Sequence, residues 1–125
     1  MSDRRIVINA GDVTLEGNLN DTPTADMVWN ALPISAVART WGDEIYFSSG
    51  LGTENDDTAQ EVVEVGTIGY WPPGDALAVF FGATPASQGD EPRAASPVNP
   101  VGEVEGDATQ LRAVRSGQTV EVRKA

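Results

Sequence analysis

The sequence predicts a mainly β protein, a closed or nearly closed β-barrel with one helix near residues 22–32. Three observations carry this expectation: many short runs with apolar residues in alternation, turn signals between almost all of them, and one stretch with helical spacing. The 125 residues suit a single domain, 1–125, without repeat or linker. A chain of that size buries roughly two thirds of its unfolded surface, enough for one core.

Ile6-Val7-Ile8 and Val13-Thr14-Leu15-Glu16-Gly17 flank Gly11-Asp12, which reads as a strand, a two-residue turn and a second strand. Asp21 or Thr22 can then cap a helix with Pro23 in its first turn. Ala25, Val28, Trp29 and Leu32 recur at helical spacing, and Pro33 ends the helix because the residue before a proline is pushed out of the α region. Strands follow over 34–39, with Ile34, Ala36 and Ala38 on one face, and over Glu44 to Phe47 after a turn at Gly42-Asp43. The polar stretch 48–57 reads as a solvated loop. Further strands are expected at 61–65, 67–71 and 77–81, with a tight turn at Pro72-Pro73-Gly74-Asp75. Four prolines make 83–100 a long irregular excursion, before closing strands near 98–105, 110–114 and 119–123.

The order of local patterns resembles the small cyclophilin-like proteins of largely uncharacterised function. The matching stretches include Leu19-Asn20-Asp21-Thr22-Pro23-Thr24-Ala25, Trp41-Gly42-Asp43-Glu44-Ile45-Tyr46-Phe47, Gly69-Tyr70-Trp71-Pro72-Pro73-Gly74 and Phe80-Phe81-Gly82-Ala83-Thr84-Pro85. Leu32-Pro33 and Glu91-Pro92-Arg93-Ala94-Ala95-Ser96-Pro97-Val98-Asn99 complete the set. The resemblance implies a cyclophilin-type barrel, whose best-known members isomerise X-Pro bonds. It does not bring the activity with it, because isomerases of this fold use a His and this chain has none.

Several residues could carry chemistry. Alternation puts Glu44 and Tyr46 on one face of a strand and Ile45 and Phe47 on the other. If the Glu44 face lines a cleft, a carboxylate and a phenol reach one ligand and partial burial raises the Glu44 pKa; otherwise this is a solvated outer face. Tyr70 and Trp71 precede a tight turn, where rings either wall a groove or close a barrel end. Phe81 belongs to a core or a pocket, and Thr84 bonds either a ligand or its own loop. Arg93 is the sole basic residue between Arg39 and Arg112; it either pairs with an internal carboxylate or clamps a ligand oxygen, near Ser96 and Asn99. Asp21, Thr22 and Thr24 read as helix caps or an anion site, and 54–57 as a solvated acidic loop.

Taken together these residues point to a protein that binds a small molecule or peptide in an aromatic-lined groove. Tyr46, Trp71 and Phe81 form its walls, with Glu44, Thr84, Arg93 and Asn99 as polar contacts. An atypical prolyl isomerase with Arg93 as amide donor is the alternative, and a structural or regulatory partner domain is a third.

Composition narrows the chemistry. The absence of Cys and His removes disulfides, thiolate or imidazole metal sites and Ser-His-Asp catalysis, and no cofactor or metal is expected. The longest apolar run, Ala76 to Phe81, is far short of the ~20 residues a membrane helix needs, so a cytoplasmic protein without a membrane span is expected. A formal net charge of -11 repels nucleic acid. Seven of the eight basic residues are Arg, and this acidic balance suggests adaptation to molar intracellular salt, where screening relieves carboxylate repulsion. On that reading, circular dichroism during KCl removal reports loss of the fold, whereas full stability without salt identifies an ordinary acidic protein.

Overall fold

A computed structural model describes residues 4–125; Met1, Ser2 and Asp3 of the single domain expected over 1–125 lie outside the described residues. The chain begins with β1 (Arg5–Ala10) and β2 (Val13–Leu19), joined by the expected two-residue turn. Gly11 takes φ 57° there, the left-handed region that glycine enters without steric cost. Helix α1 (Pro23–Ala31) has the expected ends. Thr22 Oγ1 accepts from Ala25 N at 3.2 Å, and Leu32 is already extended before Pro33. Ala25 and Val28 are buried and hold the helix on the sheet, where it touches the long strand described below.

Eight more strands follow: β3 (Ile34–Val37), β4 (Arg39–Thr40), β5 (Glu44–Ser48), β6 (Gln60–Val62), β7 (Thr67–Trp71), β8 (Ala76–Phe80), β9 (Arg93–Glu105) and β10 (Thr119–Lys124). They form one sheet in the order β3-β10-β1-β2-β9-β7-β8-β5-β4, with β6 attached to β9. No ladder joins β3 to β4 among the described residues, so the sheet is not closed by hydrogen bonds. Its two ends are nevertheless consecutive in the chain, separated by the buried Ala38. Ala38 N donates to Gln118 O at 2.7 Å and Ala38 O accepts from Gly117 N at 2.9 Å, which anchors the bend to the turn before β10.

The main core lies on one side of this curved sheet. Ile6, Ile8, Ile45, Leu77, Val101 and Val120 meet there, all essentially inaccessible. No helix among the described residues is long and apolar enough to cross a membrane.

Three local expectations need correction. Residues 110–114 are not a strand but part of a 3-10 helix, Ala108–Ala113. Asp107 caps it, accepting from Thr109 N at 3.0 Å, and Ala108, Leu111 and Val114 are buried at the three-residue period of that helix. The strand expected over 61–65 is only Gln60–Val62, and Pro72–Gly74 is a turn of 3-10 helix rather than a simple β-turn. Most consequential, the excursion from Ala83 ends at Pro92, because β9 begins at Arg93 and runs through two prolines, Pro97 and Pro100. Prolines are tolerated in a strand where its amide is not needed by a neighbour. The first half of β9 pairs only with β6, while its second half enters the main sheet between β2 and β7.

Close approach at the second junction depends on glycine. A Cβ on Gly102 would lie 2.2 Å from Asn18 O, and one on Gly17 would lie 2.6 Å from Glu103 O, both rigid backbone atoms. Gly102→Ala should therefore force β2 and β9 apart, at a cost of about 1–3 kcal/mol as in other overpacked interiors. Urea denaturation measures it; an unchanged midpoint would mean that this junction yields freely.

Candidate functional site

Residues directly opposite one another in an antiparallel pair share a face. Glu44 pairs with Phe80, Tyr46 with Ala78, Gly69 with Ala78 and Trp71 with Ala76. All of these lie on the face away from the main core, towards which Ile45, Phe47, Ile68 and Tyr70 point. That second face is not solvated. The first half of β9 covers it, so that Ala94 and Val98 pack with Val63, Ala78 and Phe80 in a separate apolar cluster flanked by Tyr46 and Trp71. Gly69 permits the overlay: a Cβ there would come within 2.8 Å of Val98 Cγ2.

A pocket of about 220 Å³ remains between this sheet face and the overlying strand. Trp41, Tyr46 and Trp71 line it with Glu44, Ala94, Ala95 and Val98. Trp41 reaches the site because the turn at Gly42-Asp43 sets it opposite Glu44, with Trp41 N donating to Glu44 O at 2.9 Å. Trp71 Nε1 donates to Ser96 Oγ at 2.7 Å, tying the rim to β9. The polar edge of the Trp71 indole is thereby satisfied while its ring lines the pocket.

Glu44 is the unusual group. It is only 7% exposed, and among the described residues its Oε1 is the one buried side-chain polar atom without a hydrogen-bond partner. Burial pushes its pKa up to about 8, because a carboxylate loses hydration that nothing here replaces. At neutral pH the free site therefore holds a largely protonated carboxyl that can donate as well as accept.

The other four residues singled out in the sequence do not line this pocket. Phe81 is 3% exposed in the main core. Thr84 Oγ1 donates to Arg93 O and accepts from Ala86 N, so it braces its own loop. Arg93 pairs with a carboxylate, Nε donating to Glu91 Oε2 at 3.0 Å. The Glu91 carboxyl also accepts from the backbone of Gln88 and Gly89, which with Arg93 holds it well below the usual carboxylate range. Asn99 is wholly inaccessible: Nδ2 donates to Thr24 Oγ1 and Glu54 O, while Oδ1 accepts from Asn55 Nδ2 and Asp56 N. Of the capping residues, Thr22 caps α1 and Thr24 also donates to Asp56 Oδ2 at 2.9 Å. The acidic loop is thus fastened to the fold through Asn55 and Asp56.

The raised Glu44 pKa has a signed consequence for stability. Between about 4.5 and 8 the native state keeps a proton that the unfolded chain releases, so stability falls as pH rises through that window and is level above it. The slope approaches about 1.4 kcal/mol per pH unit for one group. With no His or Cys, little apart from a chain-terminal amine competes in the upper half of that window. Glu44→Gln should abolish the decline and be more stable than the native protein at pH 9. Parallel melting curves from pH 5 to 9 for both proteins would exclude an elevated Glu44 pKa.

The comparisons agree with this architecture. No curated protein matches the chain. The solution structure of a hypothetical protein from Archaeoglobus fulgidus is similar to it, with 35% identity, a TM-score of 0.81, and 98% of this chain and 95% of that one covered. The family model described as cyclophilin-like matches residues 4–123. With that match over nearly its whole length, the chain belongs to the cyclophilin-like family.

Proposed function

We propose that this protein binds a small organic molecule in the pocket between β5 and the first half of β9. The observation that carries the reading is the buried Glu44 carboxyl, unpartnered and set among three aromatic side chains. A buried polar group without a partner is costly, and a carboxyl with a strongly raised pKa in a cleft marks a functional site, where a ligand can supply the missing contact. The volume favours a small molecule over a peptide. At about 220 Å³ it lies below the roughly 300–1,000 Å³ of drug-sized sites, and an extended peptide needs a longer groove. A larger depression of about 620 Å³, lined in part by Asn20, Gln60, Val62 and Glu64, contains no such unpartnered group.

The isomerase alternative is less favoured, because its amide donor was to be Arg93, which is occupied by Glu91 and lies off the pocket lining. A partner-domain role would call for a broad apolar patch. Met27, Val37, Val62 and Val65, the exposed large hydrophobics, come from α1, β3 and the β6 region. A cytoplasmic setting belongs to the same proposal, as does near-closure of the barrel through the bend at Ala38.

The test is a small-molecule screen by amide chemical shifts on the native protein and on Ala95→Trp, which fills the pocket from its exposed rim. Ligands should shift resonances of Tyr46, Trp71 and residues 94–98, and Ala95→Trp should weaken them at least about tenfold, or 1.4 kcal/mol. Shifts elsewhere that persist in the filled variant would displace the site. Catalysed cis/trans exchange of X-Pro peptides, blocked by Ala95→Trp, would turn the conclusion to the isomerase.

A further inference from the structure

We infer that the ligand is a small organic cation, an alkylammonium ion whose N–H group bonds Glu44 and whose alkyl groups lie against Trp41, Tyr46 and Trp71. This rests on the binding reading above and specifies the class of ligand. Three of the seven lining residues are aromatic, and aromatic faces attract cations through their quadrupole, most strongly when water is excluded. Glu44 is the only carboxylate in the lining, and no cationic side chain lines the pocket to neutralise it. A cation that enters supplies the charge and the donor that Oε1 lacks.

A metal ion is a poorer fit. Magnesium and calcium need about six or more oxygen ligands, and one carboxylate among rings and small aliphatic side chains cannot approach that number. Among the described residues no acidic cluster of metal-binding size exists. Anions are disfavoured because Glu44 offers them either a repelling carboxylate or a single donated proton.

The charged groups around Glu44 leave this balance intact. On β4, Arg39 pairs with Tyr46 but lines a different recess, on the far side of Tyr46 with Ser48 and Gly74. Asp43, next in sequence, is held by Arg112 at 2.9 Å, and at the start of β9 Arg93 is held by Glu91. β7 and β8 present no charged side chain to the site, and Tyr46 is the lining's other titratable group.

Cation binding must remove the Glu44 proton, so affinity should rise with pH and level off above about 8. The experiment titrates three probes of nearly one shape into the native protein, Glu44→Gln and Trp41→Leu: tert-butylammonium, tert-butanol and pivalate. Amide shifts are read at pH 6 and pH 9 in the salt at which each protein is folded. At pH 9 tert-butylammonium should bind about tenfold more tightly than tert-butanol, with pivalate weakest, and the advantage should shrink at pH 6. Glu44→Gln should erase the preference for charge while keeping tert-butanol, and Trp41→Leu should weaken the cation with Glu44 intact. Equal or tighter binding of tert-butanol or pivalate, or a preference that survives Glu44→Gln, would overturn the cation and leave the pocket standing. If neither these probes nor the broader screen shifts the lining residues, the binding reading fails with it.

Discussion

The architecture turns on a change of partners halfway along β9. Its first half is paired to β6 alone and lies over the sheet, whereas its second half is a central strand between β2 and β7. A strand cannot make that transition without some fixed point, and Asn99 occupies it. Both amide hydrogens and both acceptor positions of this inaccessible side chain are engaged, by Thr24 of α1 and by the 54–56 loop. A buried network satisfied to its full capacity specifies one arrangement, because every alternative leaves a polar group unpaired at a cost of about 1–3 kcal/mol. The register shift of β9 against β7 between Ile68 and Gly69 lies beside that point, and Gly69 is also where Val98 crosses most closely.

This crossing gives the sheet two dry faces. One is the main core; the other, smaller, is roofed by residues 93–98 and has the pocket at its edge. The electrostatics of Glu44 are a consequence of that second layer. A carboxyl on the outer face of an ordinary barrel strand would be hydrated and ionised at neutral pH, and it is the cover supplied by β9 that strips the water away. Among the described residues every other buried side-chain polar atom has a partner, which is why the exception at Oε1 stands out.

The elements fixed by local chemistry were legible in the sequence: the Gly11-Asp12 hairpin, the Thr22 cap and Pro33 stop of α1, and the alternation that separates Glu44 and Tyr46 from Ile45 and Phe47. Tyr46 and Trp71 were singled out with Glu44 and do come together. What alternation could not reveal is that both faces of β5 are buried, since that depends on a strand fifty residues away in the chain. The prolines at 92, 97 and 100 disguised that strand as a loop, although a strand with one free edge can accommodate them. Arg93, Thr84 and Asn99 lie off the pocket lining, and their side chains bond Glu91, the Arg93 carbonyl, and Thr24 with the 54–56 loop. Trp41 was overlooked despite a usable signal. A two-residue turn at Gly42-Asp43 necessarily sets residue 41 opposite residue 44 on one face.

The division of labour between floor and roof bears on how such a site can work. The floor, from β5, β7 and β8, is shared with the main core, since the same strands send alternate residues to either side. It is as rigid as the fold itself. The roof over 93–98 is held through β6, through the Trp71–Ser96 bond, and through loop contacts at Thr84, Ser87 and Glu91. Ala94 and Val98 also bury against Val63, Ala78 and Phe80, so the roof is packed onto the floor as well as hydrogen-bonded to its surroundings. The pocket meets solvent at its rim, where the lining residue Ala95 is exposed while roof, Glu44 and aromatic floor keep their places. A ligand that donates to Glu44 would stabilise this arrangement by the contact that Oε1 lacks.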